Sequence, residues 1–151
     1  MLPKEYAFFL LKYRALSEKE LIQRLKRKKF PEEEIKKVIS FLKERGFIDD
    51  IAFAKVWVSC RLSRSFGLNR ITQELKLKGI NREVLEERIA QVKKDYCESK
   101  VIEQLARDRL SRLKNIEPVK ARNRTYAYLI RRGFSPEGVS DTLNKICKQI
   151  Y

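Results

Sequence analysis

The sequence predicts an all-α protein of three tandem three-helix repeats stacked into an elongated, curved array. Three observations lead there. Among 151 residues there are only five Gly and four Pro, too few turn formers for a sandwich or barrel. Hydrophobic residues make up 43% of the chain, enough to pack a core despite the high charge. Finally, one pattern recurs three times without gaps, from Leu25 to Pro31, Leu75 to Asn81 and Leu129 to Ser135. Each copy runs through a basic residue and a helix stop to an apolar residue. Each is followed by the same apolar triplet: Ile35, Ile39, Leu42; then Leu85, Ile89, Val92; then Val139, Leu143, Ile146. That i, i+4, i+7 spacing is one stripe of an amphipathic helix.

The elements follow in order. Repeat one, residues 1–48, reads as helices over 3–14, 17–28 and 31–45. Repeat two, 49–95, has helices over 49–65, 69–78 and 81–94. Repeat three, 96–151, has helices over 97–114, 118–132 and 136–149. Ser17-Glu18-Lys19-Glu20 is a capping box for the second helix. Asp49-Asp50 places acidic groups at the start of the fourth. Asn69 is the expected cap of the fifth, Pro118 suits the first turn of the eighth, and Ser135-Pro136 opens the ninth. Gly46, Gly79 and Gly133 sit where a left-handed residue ends a helix. A repeat of this size buries little surface alone, so stacking is expected. Tyr6, Phe8, Phe9 and Tyr13, with Phe53 and Trp57, read as core aromatics rather than binding platforms.

The absence of His removes Ser-His-Asp and Cys-His nucleophile activation and every His metal ligand. Cys60, Cys97 and Cys147 are 37 and 50 residues apart, a spacing that builds neither a zinc site nor a disulfide framework. It suits a reducing cytoplasm. The apolar run Ala7 to Leu11 is too short for an export signal or a membrane span. No Gly-rich phosphate cradle occurs, and adjacent carboxylates such as Glu86-Glu87 read as solvated helix faces. The expectation is a non-enzyme without cofactor or metal.

Lys and Arg number 35 against 20 Asp and Glu, a net charge of +15. The third helices of the repeats are nearly neutral. The middle helices are not: residues 17–29 carry six basic and two acidic groups, 69–79 three and one, and 118–133 five and none. They hold +11 of the total. Repeated basic stripes of this kind call for a polyanion partner, with nucleic-acid phosphate the first candidate. No middle helix has the broad apolar face of a membrane binder. Glu32-Glu33-Glu34 open one third helix, which disfavours helix-turn-helix reading of duplex DNA.

Repeat two carries a more specific signal. Asp49-Asp50-Ile51-Ala52-Phe53-Ala54, then Arg61, then Gly67-Leu68-Asn69-Arg70-Ile71-Thr72-Gln73-Glu74-Leu75-Lys76-Leu77-Lys78-Gly79-Ile80 closely resembles the RecX family of recombinase regulators. Leu68 stands where that family often has Pro. The resemblance implies a protein that binds the RecA recombinase filament on single-stranded DNA, lies in its helical groove, and suppresses ATP hydrolysis and strand exchange. On that reading, Arg61, Arg64, Arg70 and Lys78 are contacts from repeat two. Lys26, Arg27, Lys28 and Lys29 serve from repeat one, and Arg124, Arg131 and Arg132 from repeat three. Self-repulsion at +15 makes a monomer the default.

Two alternatives belong to other classes. One is a general single-stranded nucleic-acid binder, which stacking aromatics interleaved with cations would support. Tyr126 and Tyr128 beside Arg124 and Arg131 form the one such cluster in the sequence, and their i, i+2 spacing puts the rings on different helix faces. The other is a scaffold whose basic face only keeps it soluble, with no salt-dependent binding to any polyanion.

Overall fold

The computed structural model describes all residues, 1–151, as nine α-helices and no strand. In order they are α1 Pro3–Tyr13, α2 Glu18–Arg27, α3 Glu32–Glu44, α4 Asp50–Ser63, α5 Leu68–Leu77, α6 Arg82–Asp95, α7 Glu98–Ser111, α8 Pro118–Arg131 and α9 Pro136–Ile150. Each expected helix is present, with ends within three residues of the sequence reading. Two compact units result, Met1–Val58 with Glu74–Arg88, and Ser59–Gln73 with Ile89–Tyr151.

In the first unit α1, α2 and α3 pack against one another around Ala7, Leu16, Leu21, Leu25, Ile35, Val38, Ile39, Leu42 and Ile48. In the second, α7, α8 and α9 close around Ile102, Ala106, Leu110, Leu129, Phe134, Val139, Leu143 and Ile146. Equivalent positions are buried in all three repeats: Leu25, Leu75 and Leu129 are each fully enclosed. Leu21 and Ile71 have Thr125 as their counterpart, and its hydroxyl donates to the Ala121 carbonyl at 2.8 Å, so a polar group is buried there without being orphaned.

The recurrent pattern has a backbone cause. The N–H groups of Lys29, Gly79 and Gly133 reach back to the carbonyls of Lys26, Lys76 and Ile130 at 2.9, 3.0 and 3.0 Å. Those of Phe30, Ile80 and Phe134 reach Leu25, Leu75 and Leu129 at 3.4, 3.1 and 3.3 Å. This paired closure needs a left-handed residue and turns the next side chain inward. The φ angles there are +64° at Lys29, +77° at Gly79 and +97° at Gly133. Repeat one therefore uses a lysine where its sisters use glycine.

Two expectations are corrected. Asn69 does not cap α5: the helix begins at Leu68, so Asn69 lies within its first turn and donates its N–H to the Gly133 carbonyl at 3.0 Å. The aromatics of repeat one are not all core. Tyr6 and Phe8 pack against the first-unit cluster, whereas Phe9 is 46% and Tyr13 72% exposed, because α1 is a single helix whose far side no other helix covers.

A left-handed conformation costs an L-residue about 1–2 kcal/mol, partly offset by the greater unfolded-state freedom of glycine. Lys29→Gly is therefore expected to raise stability by about 0.5–1 kcal/mol in urea denaturation, and Lys29→Val to lower it.

Candidate polyanion-binding surface

Arg61, Arg70, Lys78 and Arg132 are placed by two joints at which the start of one middle helix meets the end of another. A helix start leaves N–H groups without partners and a helix end leaves carbonyls, so a meeting of the two satisfies both.

In the first unit, the buried Ser17 caps α2 by accepting the Glu20 N–H at 3.2 Å, and its hydroxyl donates to the Lys78 carbonyl at 2.7 Å. Lys19 Nζ donates to the Leu77 carbonyl at 3.3 Å. The Lys78 ammonium pairs with Glu20 at 3.0 Å and lies 4.3 Å from the Trp57 ring centre. Glu20 also receives Arg14 at 2.8 Å, so its carboxylate serves two cations and only the serine half of the expected capping box forms. Burial pushes the Glu20 carboxyl up. The hydrogen bonds and charges of Lys78 and Arg14 outweigh that and hold it below its ordinary value. The acidic pair divides its work: Asp49 accepts the N–H groups of Ile51 and Ala52 at the start of α4, while Asp50 accepts the Glu18 N–H at the start of α2.

In the second unit, the Gly67 N–H donates to the Arg132 carbonyl at 2.8 Å and the Asn69 N–H to Gly133. Arg70 Nη1 donates to the Arg131 carbonyl at 3.3 Å. Arg132 returns the contact, its Nε donating to the Ser65 carbonyl at 3.1 Å and its Nη2 to the Arg64 carbonyl. The guanidinium groups of Arg132, Arg70 and Arg61 lie 4.2, 4.4 and 4.9 Å from the centre of the Phe66 ring. The ring's negative face attracts each of them, and the carbonyl contacts of Arg70 and Arg132 leave their positive charge in place. Backbones meet closely here. A Cβ on Gly67 would stand 2.3 Å from the Gly133 carbonyl.

The sequence-selected cations thus fall into two groups. Arg61, Arg70, Lys78 and Arg132 are built into the joints. Lys26, Arg27, Lys28 and Lys29 are exposed at the end of α2, and Arg64, Arg124 and Arg131 are exposed in the second unit. The end of a helix carries partial negative charge that favours cations there. Of the exposed group, Lys28 lies 5.3 Å from the Tyr6 ring centre. Sequence reasoning missed Phe66, although its place among Arg61, Arg64 and Arg70 was a visible signal. It also missed Glu20 as the partner of Lys78. Tyr128 is half-buried with Arg109 over its ring at 4.5 Å, and packs with Tyr126 against the core.

An all-helical, strongly basic chain of three like repeats, with cations offered at helix ends, defines a class of tandem helical-repeat protein. Family models described as the first, second and third three-helix domains of RecX match residues 4–42, 49–87 and 98–143. A protein of Amycolatopsis mediterranei named regulatory protein RecX is 35% identical over 144 residues, covering 94% of this chain and 81% of the relative. One of the same name in Chlorobium phaeobacteroides is 34% identical over 143 residues, covering 94% and 91%. The crystal structure of RecX from Lactobacillus salivarius superposes with a TM-score of 0.79 at 21% identity, over 95% of this chain and 93% of that one. A second crystal structure of regulatory protein RecX gives 0.77 at 22%, over 92% and 70%. The chain belongs to the RecX family of regulatory proteins. No helix is long and apolar enough to cross a membrane.

Two outcomes test the joints. Gly67→Ala forces backbone against backbone and is expected to cost about 3 kcal/mol. At Gly46, nothing lies within 4 Å of an added Cβ, so Gly46→Ala should show only the left-handed penalty of about 1 kcal/mol. Urea denaturation compares the two. The lowered Glu20 pKa means that the fold favours the ionised form. Its contribution is present above the ordinary carboxyl range and is lost as pH falls through the folded value. Solvent screens this partly exposed pair, so Glu20→Gln should cost about 0.5–1 kcal/mol at neutral pH, with the gap closing once acid protonates Glu20 in the folded state.

Proposed function

We propose that this protein regulates the RecA recombinase by binding its filament on single-stranded DNA, in the helical groove, and suppressing ATP hydrolysis and strand exchange. Membership of the RecX family across all three domains carries the reading. The exposed cations on the middle helices support it, since a groove that displays DNA phosphate and acidic protein surface rewards basic groups presented at intervals. In this proposal repeats 1–48, 49–95 and 96–151 each contribute contacts. Lys26 to Lys29, Arg64, Arg124 and Arg131 meet the filament, while Arg61, Arg70, Lys78 and Arg132 hold the presenting surface in shape.

The test is titration of the purified protein into RecA assembled on single-stranded DNA, following DNA-dependent ATP hydrolysis, with binding to the bare strand measured at the same salt. Hydrolysis should fall at protein concentrations well below those that coat bare DNA. A fall only once the bare strand is saturated would replace this reading with a general single-strand binder. With no His in the chain, no basic side chain at its ordinary pKa changes charge across the neutral range. Inhibition should weaken with salt and stay nearly level from pH 6 to 8.

A further inference from the structure

We infer that the exposed aromatic face of α1 is a stacking platform for the bases of single-stranded nucleic acid, with the basic end of α2 taking the phosphates. Tyr6, Phe9 and Tyr13 recur at i, i+3 and i+7, which places them on one side of α1. Their rings form a ladder: centroids are 6.4 Å apart and nearly parallel for Tyr6 and Phe9, then 5.2 Å apart and edge-on for Phe9 and Tyr13. Phe30 joins the inner end, 6.1 Å from Tyr6. Exposure rises outward along the ladder, to 46% at Phe9 and 72% at Tyr13, so its outer rings are open while the inner one is anchored to the core.

Charge decides the occupant. Lys28 lies over Tyr6, and Lys26, Arg27 and Lys29 are exposed on the same helix end. Lys12 is also exposed, one turn along α1 from Phe9. Rings that open outward from a cationic inner end suit a single strand, since every base has a face to stack and every linkage a negative charge. A duplex hides those faces, and an apolar peptide gains nothing from the cations. The inference rests on the polyanion part of the proposed function and is independent of the recombinase.

The experiment measures anisotropy of a labelled oligothymidine strand and of an abasic strand of the same length, with the wild-type chain, Tyr13→Ala and Tyr13→Phe. Loss of one stacking ring should weaken oligothymidine binding by about 5- to 100-fold. Abasic binding and the slope of affinity against salt should be unchanged, since both report phosphate contacts. Tyr13→Phe should stay near wild type. Tyr13 is mostly solvent-exposed, and a thermal melt of each variant confirms that the fold is retained. Equal binding of both strands by wild type and Tyr13→Ala would overturn the inference, as would an equal loss on both strands. Intact bare-strand binding with lost inhibition of the recombinase filament would assign the ladder to a protein partner and overturn it too. Absence of bare-strand binding by the wild type would also end this inference while leaving the filament reading in place.

Discussion

The meeting of a helix start with a helix end, backbone to backbone, is the constraint on which the placement of Arg61, Arg70, Lys78 and Arg132 depends. Each helix brings unsatisfied polar groups to its ends, and burying them without partners is costly. In one unit the hydroxyl of Ser17 bridges the start of α2 to the end of α5. In the other the N–H groups of Gly67 and Asn69 are taken directly by the carbonyls that end α8. Direct contact demands glycine on both sides, and Gly67 and Gly133 supply it. In the serine version a side chain bridges the two ends, and the ion pair of Lys78 with Glu20 stands beside it.

These joints also decide what the charges can do. A net charge of +15 opposes compaction, and the fold limits the cost by giving several cations neutral or aromatic neighbours. Three guanidiniums share the ring of Phe66, and Lys78 sits over Trp57. Such cations are held in defined positions and contribute a fixed field. The cations at the end of α2 lie in solvent and are available for direct contact. In the proposed function, long-range field and short-range contact fall to different side chains.

Much of this was legible in the sequence. Helix number and register followed from apolar spacing, and the paired closures at Lys29, Gly79 and Gly133 explain why the repeat could be aligned without gaps. What was not legible depends on residues distant in the chain. Asn69 looked like a cap because Asn before a helix usually is one, yet the cap of α5 comes from carbonyls more than sixty residues later. Lys78 looked like a free cation because Glu20 and Trp57 are remote from it in sequence. Phe9 and Tyr13 could not be told from core, because helical spacing gives the side of a helix and not whether a neighbour covers it. The i, i+2 spacing of Tyr126 and Tyr128 already spoke against a shared stacking face, and both pack against the core.

The most direct measurement compares Arg132→Ala and Lys28→Ala by thermal melting and by the salt dependence of binding to single-stranded DNA. Arg132 holds two carbonyls of the turn before Gly67, so its loss should lower the melting temperature while leaving the salt slope near that of the wild type. Lys28 should do the reverse, with melting unchanged and the slope reduced by about one unit for a lost phosphate contact. Equal effects of the two variants on both quantities would contradict the division of cations into those that build the surface and those that use it.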